Sequence, residues 1–308
     1  MRPNWSLLLI PVAILVWVLS ASRPGARVES CLDGCAVPGD IRDGDLRVIS
    51  LNMLHGFPKF EHVSHRLELI ANEINRLEPD IVMLQEVPWT LKIGSAAGFL
   101  AEKTGMNYVY LRANGNRWAI AFEEGSAILS RYPLADPEFL ELRPRAGFFE
   151  HRIVLHANAV TSMGEVGLYV THLTDGEADN NRAQSGLLLE FVTSEDVKFA
   201  VIAGDFNARP ESPQIQLLSS VWVDTFALVH PGSPGFTCCI DNLTQETASP
   251  DKRIDYIFLK SGNTLPEVVA SELVYSDPFA IAGGWLWVSD HIGLLVDLNF
   301  VDQLQPIK

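Results

Sequence analysis

The sequence predicts an α/β fold of layered, mixed sheets, and three observations carry that reading. Short runs rich in Val, Ile and Leu alternate, early in the chain, with segments of helical spacing. Later runs of the same kind follow one another across short connections, as neighbouring strands do. Most of these runs end, on their carboxyl side, in a polar or charged residue, where open α/β sheets place functional groups.

The chain has 308 residues, 47% hydrophobic and 20% charged, with no internal repeat and no low-complexity linker. That supports one large domain. Its start is different. Between Arg2 and Arg23 runs the uncharged stretch "PNWSLLLIPVAILVWVLSAS", with an apolar core from Leu7 to Leu19. The core has the length of a signal-peptide h-region, and the whole run just suffices to span a bilayer at roughly 20 residues. Ser20, Ala21 and Ser22 suit cleavage, while Arg2 on one side and Arg23 and Arg27 on the other leave orientation open. Residues 1–30 are expected to be a signal peptide or a membrane anchor. The chain is then exported, either secreted or held at a membrane with its main body outside the cytosol. Residues 31–44 read as a linker carrying Cys31 and Cys35, and 301–308 as a tail.

Cys238 and Cys239 are adjacent, so the four cysteines allow three pairings. Disulfides fit an exported chain. A C-x₃-C spacing followed by an adjacent pair is not a usual structural zinc pattern.

The elements follow in order. "LRVISLNML" reads as a buried strand from Leu46 with Asn52 at its carboxyl end. In "HVSHRLELIANEINRLEPD", Leu67, Ile70, Ile74 and Leu77 repeat at helical spacing until Pro79 closes the pattern. "IVMLQEV" is the next strand, from Ile81, and delivers Glu86. "SAILSRYPL" leaves Arg131 and Tyr132 in a turn before Pro133, and "HRIVLHANAV" alternates Ile153, Leu155, Ala157 and Ala159 as a half-buried strand should. "VGLYVTHL" ends in His172, and a helix is expected around Asn181 to Val192. Phe199 to Ala203 is a short apolar strand that stops abruptly before Asp205 and Asn207. Taken alone, Gly204, Asp205, Asn207 and Pro210 also suit an ordinary turn. Late in the chain, "RIDYIFLK" places Asp255 beside a strand, and "WVSDHIGLLVDL" places Asp290 and His291 just before the last one.

Net charge is −15, with pI near 4.9, and no dense Lys/Arg run is present. Polynucleotide binding usually rests on a basic stripe, because phosphate neutralisation supplies most of the affinity. Charge therefore disfavours nucleic acid as a partner, while leaving room for a phosphodiester whose charge a cation screens.

Singly, each strand-end residue has a plain structural explanation, a satisfied core histidine or a capping aspartate. Together, Asn52, Glu86, His172, Asp205, Asn207, Asp255, Asp290 and His291 form a consistent chemical set. Carboxylates and an amide oxygen suit a hard divalent cation, and a carboxylate with a histidine remains for proton transfer.

The motifs "SLNML", "LQEV", "GSAILSRYPL", "THL", "GDFNARP", "RIDYIF" and "SDH" stand in an order and spacing that resembles the endonuclease/exonuclease/phosphatase superfamily. These are metal-dependent phosphoesterases that include deoxyribonuclease-like enzymes, exonucleases, neutral sphingomyelinases and inositol-polyphosphate phosphatases. The resemblance covers about residues 45–300 and implies a four-layer sandwich of two packed mixed β-sheets flanked by helices. By the resemblance, Glu86 is the principal magnesium ligand (manganese being the other candidate ion), with Asn52 nearby and Asp290 a further ligand. His291 resembles the general base and Asp255 the group that fixes its tautomer. Asp205 would orient the attacking water or share the base role, and Asn207 and His172 would donate to phosphoryl oxygens. Arg152 suits a phosphate oxygen or a salt bridge equally. His55, His62 and His65, in the loop and helix start after the first strand, stay outside the catalytic set.

The expected activity is that of an exported magnesium-dependent phosphodiesterase, with a lipid headgroup or small phosphodiester favoured over duplex DNA and membrane association through the N-terminal segment. A secreted nuclease acting on DNA or RNA is the alternative, and a catalytically silent binding protein on the same fold is the second. The inositol-phosphatase branch fits less well, because a Pro-x-W-x-D-R segment does not precede "RIDY".

Overall fold

Asn52, Asp205 and Asp255 owe their common location to the way two sheets stack. The computed structural model describes residues 6–21, 23–31, 44–194, 198–262 and 265–300; Cys35 and the 301–308 tail lie outside them. Helix α1 (Ser6–Ala21) and strand β1 (Glu29–Cys31) come first, followed by β2 (Asp45–Asn52), α2 (Val63–Leu77), β3 (Ile81–Thr90), β4 (Gly94–Ser95) and α3 (Ala96–Thr104). Then come β5 (Asn107–Asn116), the single turn α4 (Arg117–Ile120), β6 (Phe122–Ser130), β7 (Leu134–Leu142), β8 (Arg152–Thr161), β9 (Gly164–His172) and α5 (Ala178–Ser194). The last part holds β10 (Phe199–Asp205), α6 (Pro213–Ser219), β11 (Val223–Asp224), α7 (Thr225–Val229), β12 (Asp255–Ser261), β13 (Glu267–Val274), β14 (Phe279–Ile281), β15 (Gly284–Leu286) and β16 (Gly293–Asn299).

The first sheet has the order β1-β5-β6-β3-β2-β16-β13, with β4 paired to β3, and the second the order β11-β12-β10-β9-β8-β7; β14 and β15 form a separate hairpin. β2 pairs parallel with β3 and β9 with β10, while neighbours such as β10 and β12 run antiparallel, so both sheets are mixed. Strand alternation builds the layers. Leu46, Val48, Ile81 and Met83 face Leu155, Leu168, Val170, Val201 and Ala203 in a core between the sheets. The opposite faces of β2 and β3, through Ile49, Leu51, Val82 and Leu84, bury Leu67, Ile70 and Ile74 of α2 and Leu100 of α3. On the second sheet, Tyr169, Ala200, Ile202 and Phe258 are covered by Leu188 and Val192 of α5 and by Ile215 and Leu218 of α6. Helix, sheet, sheet and helix make the four layers that the motifs implied.

Boundaries shift where pairing outweighs local propensity. The helix expected at Asn181 to Val192 spans Ala178–Ser194. The strand expected to stop at Ala203 continues through Gly204 and Asp205, because both pair with Thr171 and His172 on one side and Tyr256 and Asp255 on the other. The predicted boundary at residue 30 falls inside β1, which pairs antiparallel with β5, Glu29 opposite Tyr110. Among the described residues, no helix is long and apolar enough to cross a membrane. Trp17 Nε1 of α1 donates to Ala119 O at 2.9 Å, joining that helix to the body.

Gly204 explains one feature of the "GDFN" run. It has φ of 150°, and a Cβ there would lie inside the van der Waals envelope of Thr171 O on the adjacent strand. Gly204→Ala is expected to destabilise the fold by about 1–3 kcal/mol or more, read as a lowered Tm, and to displace Asp205 with it.

Candidate active site

The residues that line the core between the sheets and those of the site belong to the same alternating series. Along β2, Leu46 and Val48 face the other sheet, and two steps of period two from Val48 bring Asn52 to the same face at the carboxyl end. In the same way Val166, Leu168 and Val170 lead to His172, and Phe199, Val201 and Ala203 lead to Asp205. Asp255 opens β12 on the face continued by Ile257 and Leu259. Asp205 is in register with His172 on one neighbour and Asp255 on the other, so the three stand in one row across adjacent strands.

Glu86 arrives by a different device. Strict alternation after Val82 and Leu84 would turn it into the helix-covered face. Instead Leu84 opposes Ala127 and Val87 opposes Gly125, so Gln85 and Glu86 share the place opposite Ser126. This bulge, with Glu86 at φ of 54°, frees the carboxylate to point into the site.

His291 Nδ1 lies 2.9 Å from Asp255 Oδ2, and its Nε2 faces Asp205 Oδ2 at 3.7 Å. Burial opposes charge on the imidazole, but the Asp255 and Asp205 carboxylates outweigh it and hold His291 well above the ordinary histidine value. Asp205 is fully enclosed. Burial first, and the nearby Asp255 second, push its carboxyl up to about 7. Asp205 Oδ1 accepts from the Asn207 amide N–H at 2.8 Å, and Oδ2 from Asn52 Nδ2 at 3.1 Å.

Opposite this pair stand Arg152, His172 and Asn207. A guanidinium can only donate, so the 3.0 Å contact from Arg152 Nη1 makes His172 Nδ1 the acceptor. The ring proton then sits on Nε2, an assignment made from the hydrogen-bond network, and Nε2 faces Asp205 Oδ2 at 3.5 Å. Burial and then the Arg152 charge hold His172 well below the ordinary histidine value, so it stays neutral. Asn207 Nδ2 donates to Leu173 O at 3.0 Å and stands 3.1 Å from His172 Nε2, two donors side by side and not a hydrogen bond. Arg152 also pairs with Glu150 at 3.1 Å, the salt bridge among its two sequence readings.

Glu86 accepts from Asn52 Nδ2 at 3.2 Å and from the His55 backbone N–H at 3.1 Å. Burial would raise its pKa, but His55 and the hydrogen bonds prevail and lower it, keeping the carboxylate charged. Asn52 turns its amide nitrogen toward Glu86 and Asp205, and its Oδ1 accepts from Leu54 N at 3.1 Å, so here it orients the carboxylates. Asp290, whose Oδ1 lies 3.3 Å from the Ser289 hydroxyl, lines the same cleft of about 480 Å³ as Glu86, Asp205 and His291. Burial, with Glu86 nearby, raises the Asp290 pKa. Two carboxylates that disfavour each other's charge in a cleft are the donor chemistry a hard divalent cation relieves. A further group, Asp205, Asp255 and His291, brings one ligand-type atom each within 4.8 Å and is also able to hold a metal.

Several site residues were not singled out by sequence. His55 was set aside with the loop histidines, yet its Nε2 lies 3.5 Å from Glu86 Oε2, because the chain after β2 folds back over the bulge. Arg66 is buried and donates to Met53 O, Leu54 O and Val288 O, clamping the loop after β2 to the segment before Asp290. Ser289 Oγ donates to Asn52 O at 2.6 Å and accepts from His291 N at 3.1 Å. Thr237 Oγ1 accepts from Asp255 N at 3.3 Å. Next to it, Cys238 and Cys239 are disulfide-bonded to each other and line the cleft, and Cys238 bridges through its backbone to His291. A ring closed between adjacent residues withdraws little chain entropy, so this bridge shapes the wall locally. Cys31 is disulfide-bonded as well. His62 and His65 line a different cavity, beside α2 and α3.

The arrangement can be set against known proteins. A model of the endonuclease/exonuclease/phosphatase family matches residues 49–291. No match is found among curated proteins. Among solved structures, an endonuclease/exonuclease/phosphatase from Beutenbergia cavernae is similar at a TM-score of 0.63 and 23% identity, over 83% of this chain and 72% of that one. A truncated TDP2 from Caenorhabditis elegans is similar at a TM-score of 0.65 and 18% identity, over 85% of this chain and all, 100%, of its own. A functionally unknown conserved protein from Enterococcus faecalis aligns at a TM-score of 0.65 and 21% identity, over 83% of this chain and 100% of that one. At such identities the structures establish the fold, and the family model, spanning both sheets and ending at His291, establishes that this chain belongs to the endonuclease/exonuclease/phosphatase family, a superfamily of metal-dependent phosphoesterases.

Proposed function

We propose that this protein is an exported, magnesium-dependent phosphodiesterase in which His291 activates the attacking water. The observation that carries this reading is the buried His291–Asp255 pair, 2.9 Å apart, with Nε2 turned into the cleft that Glu86 and Asp290 share. Glu86 and Asp290, with Asn52 orienting Glu86, are the residues to hold the ion. Bound magnesium, or manganese, supplies a Lewis acid that offsets charge on the phosphoryl group. Asp255 fixes the imidazole with its proton-accepting nitrogen, Nε2, toward the water, and Asp205 orients that water from the other side. Asn207 and neutral His172 donate to the phosphoryl oxygens as charge builds on them, and Arg152 keeps the His172 proton on Nε2 while adding positive charge. The apolar segment α1 and the bonded cysteines support an exported location.

The acidic net charge of −15 favours a lipid headgroup or small phosphodiester over a polynucleotide. A panel of sphingomyelin, glycerophosphodiesters, DNA and RNA, assayed with magnesium and with chelator, tests the proposal. Chelator-sensitive hydrolysis of the lipid or small diesters is expected. Faster cleavage of DNA or RNA would move the assignment to a secreted nuclease, and absence of turnover on every member would leave a silent binding protein.

A further inference from the structure

Next to the catalytic cleft lies a second cavity of about 500 Å³, lined by Trp17, Phe57, Ile120, Phe122 and Phe149, with His55 and Glu124 where it adjoins the cleft. His55 joins the two: its ring borders this cavity, while its backbone N–H and Nε2 reach Glu86. Phe57 and Phe122 stack with ring centroids 4.5 Å apart and form one wall. No Lys or Arg is among the lining residues. A second phosphate of a polynucleotide would find nothing there to neutralise it.

Large apolar side chains stand beside this cavity, with Arg112 and Arg117 nearby around Trp118. Trp118, 91% exposed, and Phe149, 58% exposed, lie around this region, and α1 reaches it through Trp17, bonded to Ala119 O. An aromatic cavity with exposed apolar residues such as Ile120 and Phe149 at its rim, beside the cleft proposed for the phosphate, marks an interaction site for an apolar group.

We infer that this cavity is the subsite for the aliphatic chain of an amphiphilic phosphodiester whose phosphate lies in the Glu86–His291 cleft. The inference rests on the phosphodiesterase reading above and names its substrate class. The phosphate end meets Arg152 and His172, and the chain passes His55 into the aromatic cavity, leaving water as it does so.

The test uses alkyl p-nitrophenyl phosphodiesters from methyl to dodecyl, kept monomeric, so that headgroup and leaving group stay constant. KM is expected to fall by about two- to fourfold per added methylene until the cavity is filled. Ile120→Asp and Phe149→Asp, at rim positions outside the catalytic set, should flatten this dependence and leave turnover of the methyl ester unchanged, which also reports that the variants fold. A chain-length-independent KM in the intact protein would overturn the subsite, and so would preference for a thymidine p-nitrophenyl phosphodiester over the dodecyl ester. Binding of non-hydrolysable alkylphosphonate monoesters, followed by tryptophan fluorescence, separates this failure from that of the activity. Affinity that rises with chain length in a protein without turnover would sustain the subsite and discard the phosphodiesterase; affinity indifferent to chain length would discard the subsite.

Discussion

His291→Ala is expected to lower kcat by roughly 10²–10⁴-fold, with KM little changed. The imidazole sits between Asp255 at 2.9 Å and Asp205 at 3.7 Å, where it is placed to hold or release a proton. Asp255→Asn should act through the same proton, so the double variant should be little slower than His291→Ala alone, as for residues that work as a unit. The pH dependence has a definite sign. Both carboxylates raise the His291 pKa against the effect of burial, so a base at this position gains activity as pH rises through that elevated value. Stability moves the other way. A histidine raised in the folded state contributes stability that is fully present below its ordinary value of 6.5 and lost as pH climbs through the folded pKa. The intact protein should therefore lose more Tm than His291→Ala between neutral and alkaline pH. Independent, multiplicative losses in the two single variants would separate the pair and make Asp205 the base.

Glu86→Gln is expected to reduce turnover by roughly 10²-fold or more, in line with the several kcal/mol that a Lewis-acid ion contributes, and to raise the magnesium concentration needed for half activity. The amide keeps the shape of the side chain and loses the charge. It can still meet the His55 N–H through its oxygen, so Tm should stay close to that of the intact protein. Near-normal rates at low magnesium would remove Glu86 from the metal site. The contrast with His291→Ala is informative, since added magnesium should restore part of the Glu86→Gln activity and none of the other.

Asn52, His172, Asp205 and Asp255 were legible in the sequence because strand alternation is a local property. Each continues, in steps of two, a series of apolar residues that had to face the same core, so its side of the sheet follows from the pattern. The helix of Leu67, Ile70 and Ile74 was legible for the same reason, at its own period. Glu86 was named as the end of its strand, but β3 runs on to Thr90 and alternation alone turns Glu86 into the wrong layer, so only pairing with β6 creates the bulge that corrects it. His55 was missed on the same ground. Its contact with Glu86 depends on how the loop after β2 is clamped by Arg66, a residue with helical spacing and no visible partner in the sequence.

The sequence by itself determined the alternation of strands and helices, the apolar faces of both sheets, the acidic balance and the identity of the chemical groups at the strand ends. Those are set by residue type and period over a few positions. Only the tertiary structure decided that Asp205 and Asp255 close on His291 from adjacent strands, that a bulge swings Glu86 toward Asp290, and that an aromatic cavity opens beside them. These depend on contacts such as His291 to Asp255, 36 residues apart, and Asn52 to Asp205, 153 apart, whose geometry is fixed by packing two sheets face to face and not by any local preference of the chain.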